Sequence, residues 1–462
     1  MIDRKELTRI LLAAGATDVV MVGGCVRDML LGIESKDVDM EVYGLSYAQM
    51  AKALEGRFPI NQVGQSFSVL KVGNEIDLAL PRRDSKIGDG HKGFEVQPDS
   101  SMTFAEAASR RDLTINAIGM RTDGTLVDPY DGAGDLKRGI LRAPSDAFCE
   151  DPLRVLRAMQ FAARFGFTME AHTVELCKRV LPEFKTLSAE RIYGEWFKWA
   201  TKGKYPEKGL DLLVQTDWIT CFPELNALRG VKQHPTFHPE GDAFEHTRLV
   251  CAQAAQIAQQ DNLSHDDRAI LLFAALCHDF GKPIVHSQRD CPHGIAHGHA
   301  EAGEPAIVEF LMKMKPPLWL VENVVPICKA HMYALRATPP SAPSDANIRR
   351  LSEYVMPSNI IMWSRLVKAD IWGRAVSDCS KLIHDIDIWV NRARELNVEL
   401  RQPDPLLQGR DLIELGIEPG PRMGIILKAA WNAQLDGKFL AHAGAVAWYK
   451  RYSLQNRSIE LE

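Results

Sequence analysis

Residues 3–14 place Leu7, Ile10, Leu11 and Ala14 at intervals that line one face of a helix. The apolar run DVVMVGG that follows ends in two glycines and predicts a short buried strand. RDMLLG predicts a helix closed at Gly32, DVDMEVYG alternates as a half-buried strand does, and SYAQMAKALEGRF carries the apolar stripe of an amphipathic helix. SFSVLKVGNEIDLALP reads as two strands turning at Gly73 and Asn74. From EDPLRVLRAMQFAARFGF onward one helical pattern follows another, with few strand-like runs. The chain therefore predicts an α+β protein: a mixed first section to about residue 140, then an all-helical remainder.

Breaks in the pattern divide that remainder. His, Pro and Gly gather in LNALRGVKQHPTFHPEGDAFEHTR, a second break lies near residues 397–412, and the Pro- and Ser-rich stretch 336–347 reads as an exposed loop. The expected domains are 1–140, 141–230, 231–395 and 396–462. At 462 residues, 46% of them hydrophobic and 25% charged, the chain has the balance of a soluble globular protein with several cores. No run of about 18 uncharged apolar residues occurs, which predicts neither a signal peptide nor a membrane span. Nine cysteines without a C-x-x-C pair predict reduced thiols in a cytoplasm. A net charge of −5 means that any nucleic-acid partner must be met by local positive charge.

The densest chemistry lies in MVGGCVRDMLLGIESKDVDMEVYG. On a strand, positions i and i+2 face the same side, so Asp37 and Asp39 project together, about 7 Å apart at Cα. Paired carboxylates beside a phosphate suit Mg²⁺, and Asp77 on a later strand is a third candidate acid. Gly23 and Gly24, between strand and helix, allow backbone N–H groups to approach a triphosphate, with Arg27 in the first helical turn to reach a phosphate.

VGGCVRDMLLG with KDVDMEV resembles the head of the class II tRNA nucleotidyltransferase and poly(A) polymerase family, a branch of the polymerase-β-like nucleotidyltransferases. The resemblance implies that Asp37 and Asp39 bind catalytic Mg²⁺, and that Gly24 and Arg27 bind nucleotide. SRRDLTINAIGM resembles the family's ribose-recognising motif and gives that role to Arg111 and Asp112, with Arg110 nearby. EDPLRVLRAMQFAARFGF resembles the motif in which side chains replace a template; Asp151, Arg154 and Arg157, spaced along one helix face, would match cytosine and then adenine. Relatives continue the arginine spacing where this chain has Gln160, with Arg164 a turn on. LSAERIYGEW, capped by Ser188, resembles the next motif, in which Glu190 and Arg191 brace the template helix. The glycine-rich stretch 82–96 lies where the family has a loop that switches C to A addition.

In the second half, His246, the pair His278-Asp279 closing an apolar helix, and Asp370 resemble the HD phosphohydrolase set, which implies Mg²⁺ or a divalent transition metal activating water. His297, His299 and His331 are accessory candidates. The whole resembles the bacterial branch that fuses CCA addition to phosphate-ester hydrolysis: a nucleotidyltransferase head, helical neck and body, HD domain and tail, acting on tRNA with CTP and ATP. The basic run Lys198, Lys202, Lys204 and Lys208 would help to hold the RNA. The shared head is equally compatible with poly(A), CC-only or A-only addition, and a metal-dependent HD hydrolase with a nucleotide-binding head is a further alternative.

Overall fold

A computed structural model describes residues 2–34, 37–61, 69–86, 94–288, 294–337, 339, 341–376 and 378–455, with backbone alone for 83–98. The chain forms two compact units, residues 1–222 and 223–462.

The first unit opens with α1 (Arg4–Ala13), β1 (Asp18–Val22), α2 (Gly24–Leu30), β2 (Val38–Tyr43) and α3 (Tyr47–Leu54). Strands β3 (Ile60–Asn61), β4 (Val69–Val72), β5 (Ile76–Ala79), β6 (Arg82–Lys86), β7 (Phe94–Pro98), β8 (Gly119–Met120) and β9 (Leu126–Val127) follow, with α4 (Phe104–Ser109) ahead of β8. A seven-stranded sheet in the order β3-β4-β5-β2-β1-β8-β9 results, antiparallel except where β2 runs beside β5. The period of two in β1 and β2 sorts their side chains to two faces. Val19, Met21, Met40 and Val42 join Leu7 and Leu11 of α1 and Met50 and Leu54 of α3 in one core. Val20, Val22 and Tyr43 pack against Phe104 and Ala108 of α4 on the other. Strands β6 and β7 form a separate hairpin, and residues 87–93 of the expected switching loop lie outside the described residues.

The helical neck consists of α5 (Gly132–Arg138), α6 (Leu153–Phe165), α7 (Ala171–Arg179), α8 (Ala189–Lys202) and α9 (Pro206–Gln215), with one two-stranded pairing of β10 (Ile140–Leu141) and β11 (Thr168–Met169). Ser188 accepts the Arg191 N–H and caps α8, as its motif predicts. Asp151 departs from expectation. It stands before α6 in an extended conformation, with φ −131° and ψ 106°, and not on the helix face. Pro152 is the reason, since the ring of a proline disfavours helical geometry in the residue before it. The Arg-Arg-Asp motif opens a short 3-10 turn over Thr114–Asn116.

The second unit is all helix: α10 (Pro223–Asn226), α11 (Ala243–Gln260), α12 (His265–Cys277), α13 (Gly281–Gln288), α14 (His299–Ala302), α15 (Glu304–Lys313), α16 (Leu318–Ala330), α17 (Asp345–Tyr354), α18 (Ile360–Gly373) and α19 (Ser380–Glu395). The tail, α20 (Gly409–Glu414), α21 (Pro421–Leu435) and α22 (His442–Gln455), has its own small core around Leu412, Ile426, Ala430 and Phe439. Arg350 joins it to α17 through Asp436 at 2.6 Å. One stretch, His265–Ser287, has the length and apolar composition to cross a membrane, and 83% of its most apolar window is buried inside the protein.

Candidate active sites

With the apolar residues of β2 turned to the core of α1 and α3, Asp39 and Glu41 face the opposite side, and Asp37 precedes them in the same phase. The parallel pairing of β2 and β5 sets Asp77 beside Asp39, and Lys71 holds Asp77 at 3.0 Å. Partial desolvation and then the Asp77 charge push the Asp39 carboxyl above its ordinary range; Arg111 opposes them, while Asp37 and Glu41 add to the rise. Carboxylates that crowd and repel one another beside solvent form a donor set that fits a hard divalent cation.

Gly23 takes φ +73°, in the left-handed region, and a Cβ there would stand 3.0 Å from the Arg111 guanidinium. Glycine thus brings Arg111 against the turn between β1 and α2. Arg111 also binds Glu41 at 2.7 Å and the Asn116 carbonyl at 3.1 Å. Arg27 is 4% exposed, lies over Phe161 and Phe165, and donates to Asp28 and Asn116. It reaches the cleft as part of a packed network and not as a free arm. Asp112 is buried with both oxygens engaged: Oδ1 accepts from Leu113 N and Asn116 Nδ2, and Oδ2 from Arg157 Nε at 2.8 Å.

Across the same cleft stand the residues expected to choose the base. Asp151 Oδ1 accepts the Leu153 N–H and Oδ2 accepts Arg191 Nη2 at 2.7 Å. Arg154 donates to the Ala147 and Arg110 carbonyls at 2.6 and 2.7 Å, and Arg110 pairs with Glu150 at 2.7 Å. Gly24, Asp39, Arg111, Asp151 and Arg154 all line one cleft of about 680 Å³. Gln160 lines it too, as does Arg164, which pairs with Asp28 at 3.1 Å. The basic run does not form a single face. Lys198 and Lys202 line the cleft, Lys204 lies over the Tyr205 ring, and Lys208 faces Asp211. Sequence reading passed over Glu41 and Asn116. Glu41 was findable as the third acid of the D-x-D-x-E alternation, whereas nothing local marks Asn116.

The second unit gathers His246, His278, Asp279 and Asp370 from α11, the end of α12 and α18, as the HD resemblance implies, and adds His299 and His331. All six are at most 7% exposed. His246 Nε2 lies 3.0 Å from Asp370 Oδ1, and Asp279 stands 3.2 Å from both His278 Nε2 and His299 Nε2. His278, His299 and His331 each turn Nδ1 to a backbone carbonyl three residues back, at 2.9, 2.8 and 2.6 Å. With Nδ1 as the donor to backbone, the three Nε2 atoms face inward, each a lone pair in the neutral ring. His299 Nε2 and His331 Nε2 stand 3.0 Å apart, and burial is the first cause that pushes His331 down to about 3. His278 Nε2 is buried without a hydrogen-bond partner. Such a nitrogen set is incomplete without a cation and fits a divalent metal, with Asp279 between two groups of ligands. Burial opposes ionisation of Asp370, yet Arg374 and His246 hold its carboxyl well below the usual range. His297 is exposed on the rim of the adjoining cavity of about 310 Å³, which Lys282, Arg374 and Phe237 also line.

Comparison with known proteins finds relatives of both halves of the chain. The poly A polymerase head domain matches residues 19–142, the probable RNA- and SrmB-binding site of polymerase A matches 166–228, and the HD domain matches 243–387. The multifunctional CCA protein of Vibrio vulnificus is 35% identical over 365 residues, covering 78% of this chain and 81% of its own length. That of Hahella chejuensis is 37% identical over 324 residues, covering 69% and 73%. Among solved structures, the Bacillus stearothermophilus CCA-adding enzyme in complex with CTP shares the fold at 21% identity, with a TM-score of 0.65 and 98% of each chain covered. The Thermotoga maritima CCA-adding enzyme complexed with tRNA does so at 20% identity, with a TM-score of 0.56 and 98% and 96% covered. A nucleotidyltransferase head and an HD domain in one chain, related over most of its length to proteins of the same build, place it in the multifunctional CCA protein family.

Proposed function

We propose that this chain adds CMP, CMP and AMP from CTP and ATP to the 3′ end of tRNA, without a nucleic-acid template, and releases pyrophosphate. The observation that carries the reading is one cleft in which the acid strand faces Asp151 and Arg154, both fixed by neighbouring side chains and backbone. Asp37 and Asp39 would hold Mg²⁺, which supplies charge neutralisation at the transferred phosphate and a lowered pKa for the attacking hydroxyl. The N–H groups at Gly23 and Gly24 and the cations of the cleft orient the triphosphate. Arg111, set by Glu41, contacts the ribose, and Asp112 acts by holding Arg157 in place. Asp151 presents an acceptor and Arg154 donors that complement cytosine and then adenine.

The four domains fall at 1–140, 141–230, 231–395 and 396–462, and the neck and body grip tRNA by shape and backbone charge. Substrates of this kind and free thiols at the described cysteines fit action in a cytoplasm. The HD centre adds a second activity. His246, His278, Asp279, Asp370, His299 and His331 would hold divalent metal, which supplies a nucleophile for phosphate-ester hydrolysis, while Lys282 and Arg374 balance charge at the same cavity.

The test supplies tRNA lacking its terminal nucleotides with labelled CTP and ATP. The native chain should incorporate both and Asp37→Ala neither; retained incorporation by the pure variant overturns the assignment.

A further inference from the structure

We propose that Glu240 is a positioning residue of the HD centre, fixing the His246 ring so that its Nε2 serves one of two metal positions. The proposal rests on the metal-binding reading of that centre and goes beyond it by assigning a residue outside the HD ligand set.

Three of the four inward-facing imidazoles are oriented by backbone. His278 and His331 sit at the C-terminal ends of α12 and α16, where the last carbonyls of a helix have no partner within it, and each borrows the carbonyl three residues back. His299 uses the Ala296 carbonyl of the turn before α14. His246 cannot do the same. It lies at the start of α11, where the preceding residues belong to a loop.

Glu240 in that loop supplies the missing acceptor. Its side chain is 1% exposed, and its Oε1 accepts His246 Nδ1 at 2.8 Å and His238 Nδ1 at 2.9 Å, while Oε2 accepts the Ala375 N–H at 3.3 Å. A carboxylate only accepts, so the nitrogen facing it carries the hydrogen. His246 Nε2 is thereby turned to Asp370 Oδ1 at 3.0 Å and Asp279 Oδ2 at 3.8 Å, the side on which a metal would take it as a ligand. The loop is itself clasped: Asp242 caps α11 through Glu245 N and accepts the Gly230 N–H at 2.6 Å, and Ala243 N donates to the Val231 carbonyl. Among the described residues, Glu240 is the one side chain that performs this orientation, so substitution can remove it at His246 and nowhere else in the centre.

The placement makes the effect selective. His246 faces Asp370 and Asp279, whereas His299 and His331 face each other on the other side of Asp279. Loss of Glu240 should weaken the first position and spare the second.

The experiment titrates the full chain with Co²⁺, following visible absorption and bound stoichiometry, in an Asp39→Asn background that silences the carboxylate site of the head. The reference should bind two ions. Glu240→Ala should hold one as tightly as before and the other about 10- to 100-fold more weakly, the usual effect of removing the group that orients a ligating histidine. Glu240→Gln, whose amide oxygen can still accept from His246, should lose less than Glu240→Ala. His238→Ala should keep both ions. The melting temperature of the metal-free chain and CCA addition by the single variant Glu240→Ala should match the native protein. Unchanged Co²⁺ binding by Glu240→Ala overturns this proposal alone, as does joint loss of both ions with a lowered melting temperature. A reference chain that takes up no Co²⁺ overturns the metal-binding reading and this proposal with it.

Discussion

At the scale of single residues, the head cleft is a network in which side chains expected to touch substrate are first held by one another. Arg154 reaches the cleft through bonds to two carbonyls, and Asp151 through Arg191. Arg154→Ala should lower kcat/KM for CTP and ATP by about 10- to 100-fold, the size of one bidentate base contact, and admit UTP or GTP. Steady-state addition with each triphosphate alone measures this. Arg191→Ala should leave the preference among bases intact and raise KM, because Asp151 keeps its bond to Leu153 N and loses only its second anchor. The acids, the glycines and the arginine motifs were legible because each is a short local pattern. Asn116 was not, since its importance comes from bridging Arg27 and Asp112, which are far from each other in sequence. For the same reason sequence alone could not show that Asp112 also holds Arg157.

At the scale of elements, periodicity located β1, β2, α1 and α3 well, because an apolar face of fixed period must meet a core. It misplaced Asp151, where a proline outweighs the helical pattern. The turn from β1 to α2 is the most sensitive junction. Gly23→Ala would force an L-residue into the left-handed region at a cost of roughly 1–2 kcal/mol and set a methyl group against Arg111. Nucleotide addition should fall more than stability does, as read by comparing kcat/KM with the thermal midpoint. Ser188→Ala, which removes the cap of α8, should cost about 1 kcal/mol by denaturant unfolding and shift the Arg191 anchor with it.

At the scale of the whole molecule, each compact unit carries its own cluster: carboxylates beside a glycine turn in residues 1–222, buried imidazoles in residues 223–462. The paired change His278→Ala, Asp279→Ala should therefore abolish hydrolysis of a 2′,3′-cyclic phosphate while leaving addition to tRNA at native rate. Loss of addition in a folded variant would show that the two activities are not separable. The division into head and HD domain was legible from the change of period and from the resemblance of His246, His278-Asp279 and Asp370 to the HD set. His299 and His331, two of the three accessory candidates, reach the HD centre by tertiary packing of α14 and α16, whereas His297 stays exposed, a distinction that local pattern does not encode. The central claim, that one cleft writes a fixed three-nucleotide tail, is tested most directly by sequencing the 3′ ends made on tRNA lacking its terminal nucleotides, with all four nucleoside triphosphates present. The account predicts tails that end at CCA, and none from Asp37→Ala. Runs of adenosine, or tails that stop at CC with ATP in excess, would contradict it.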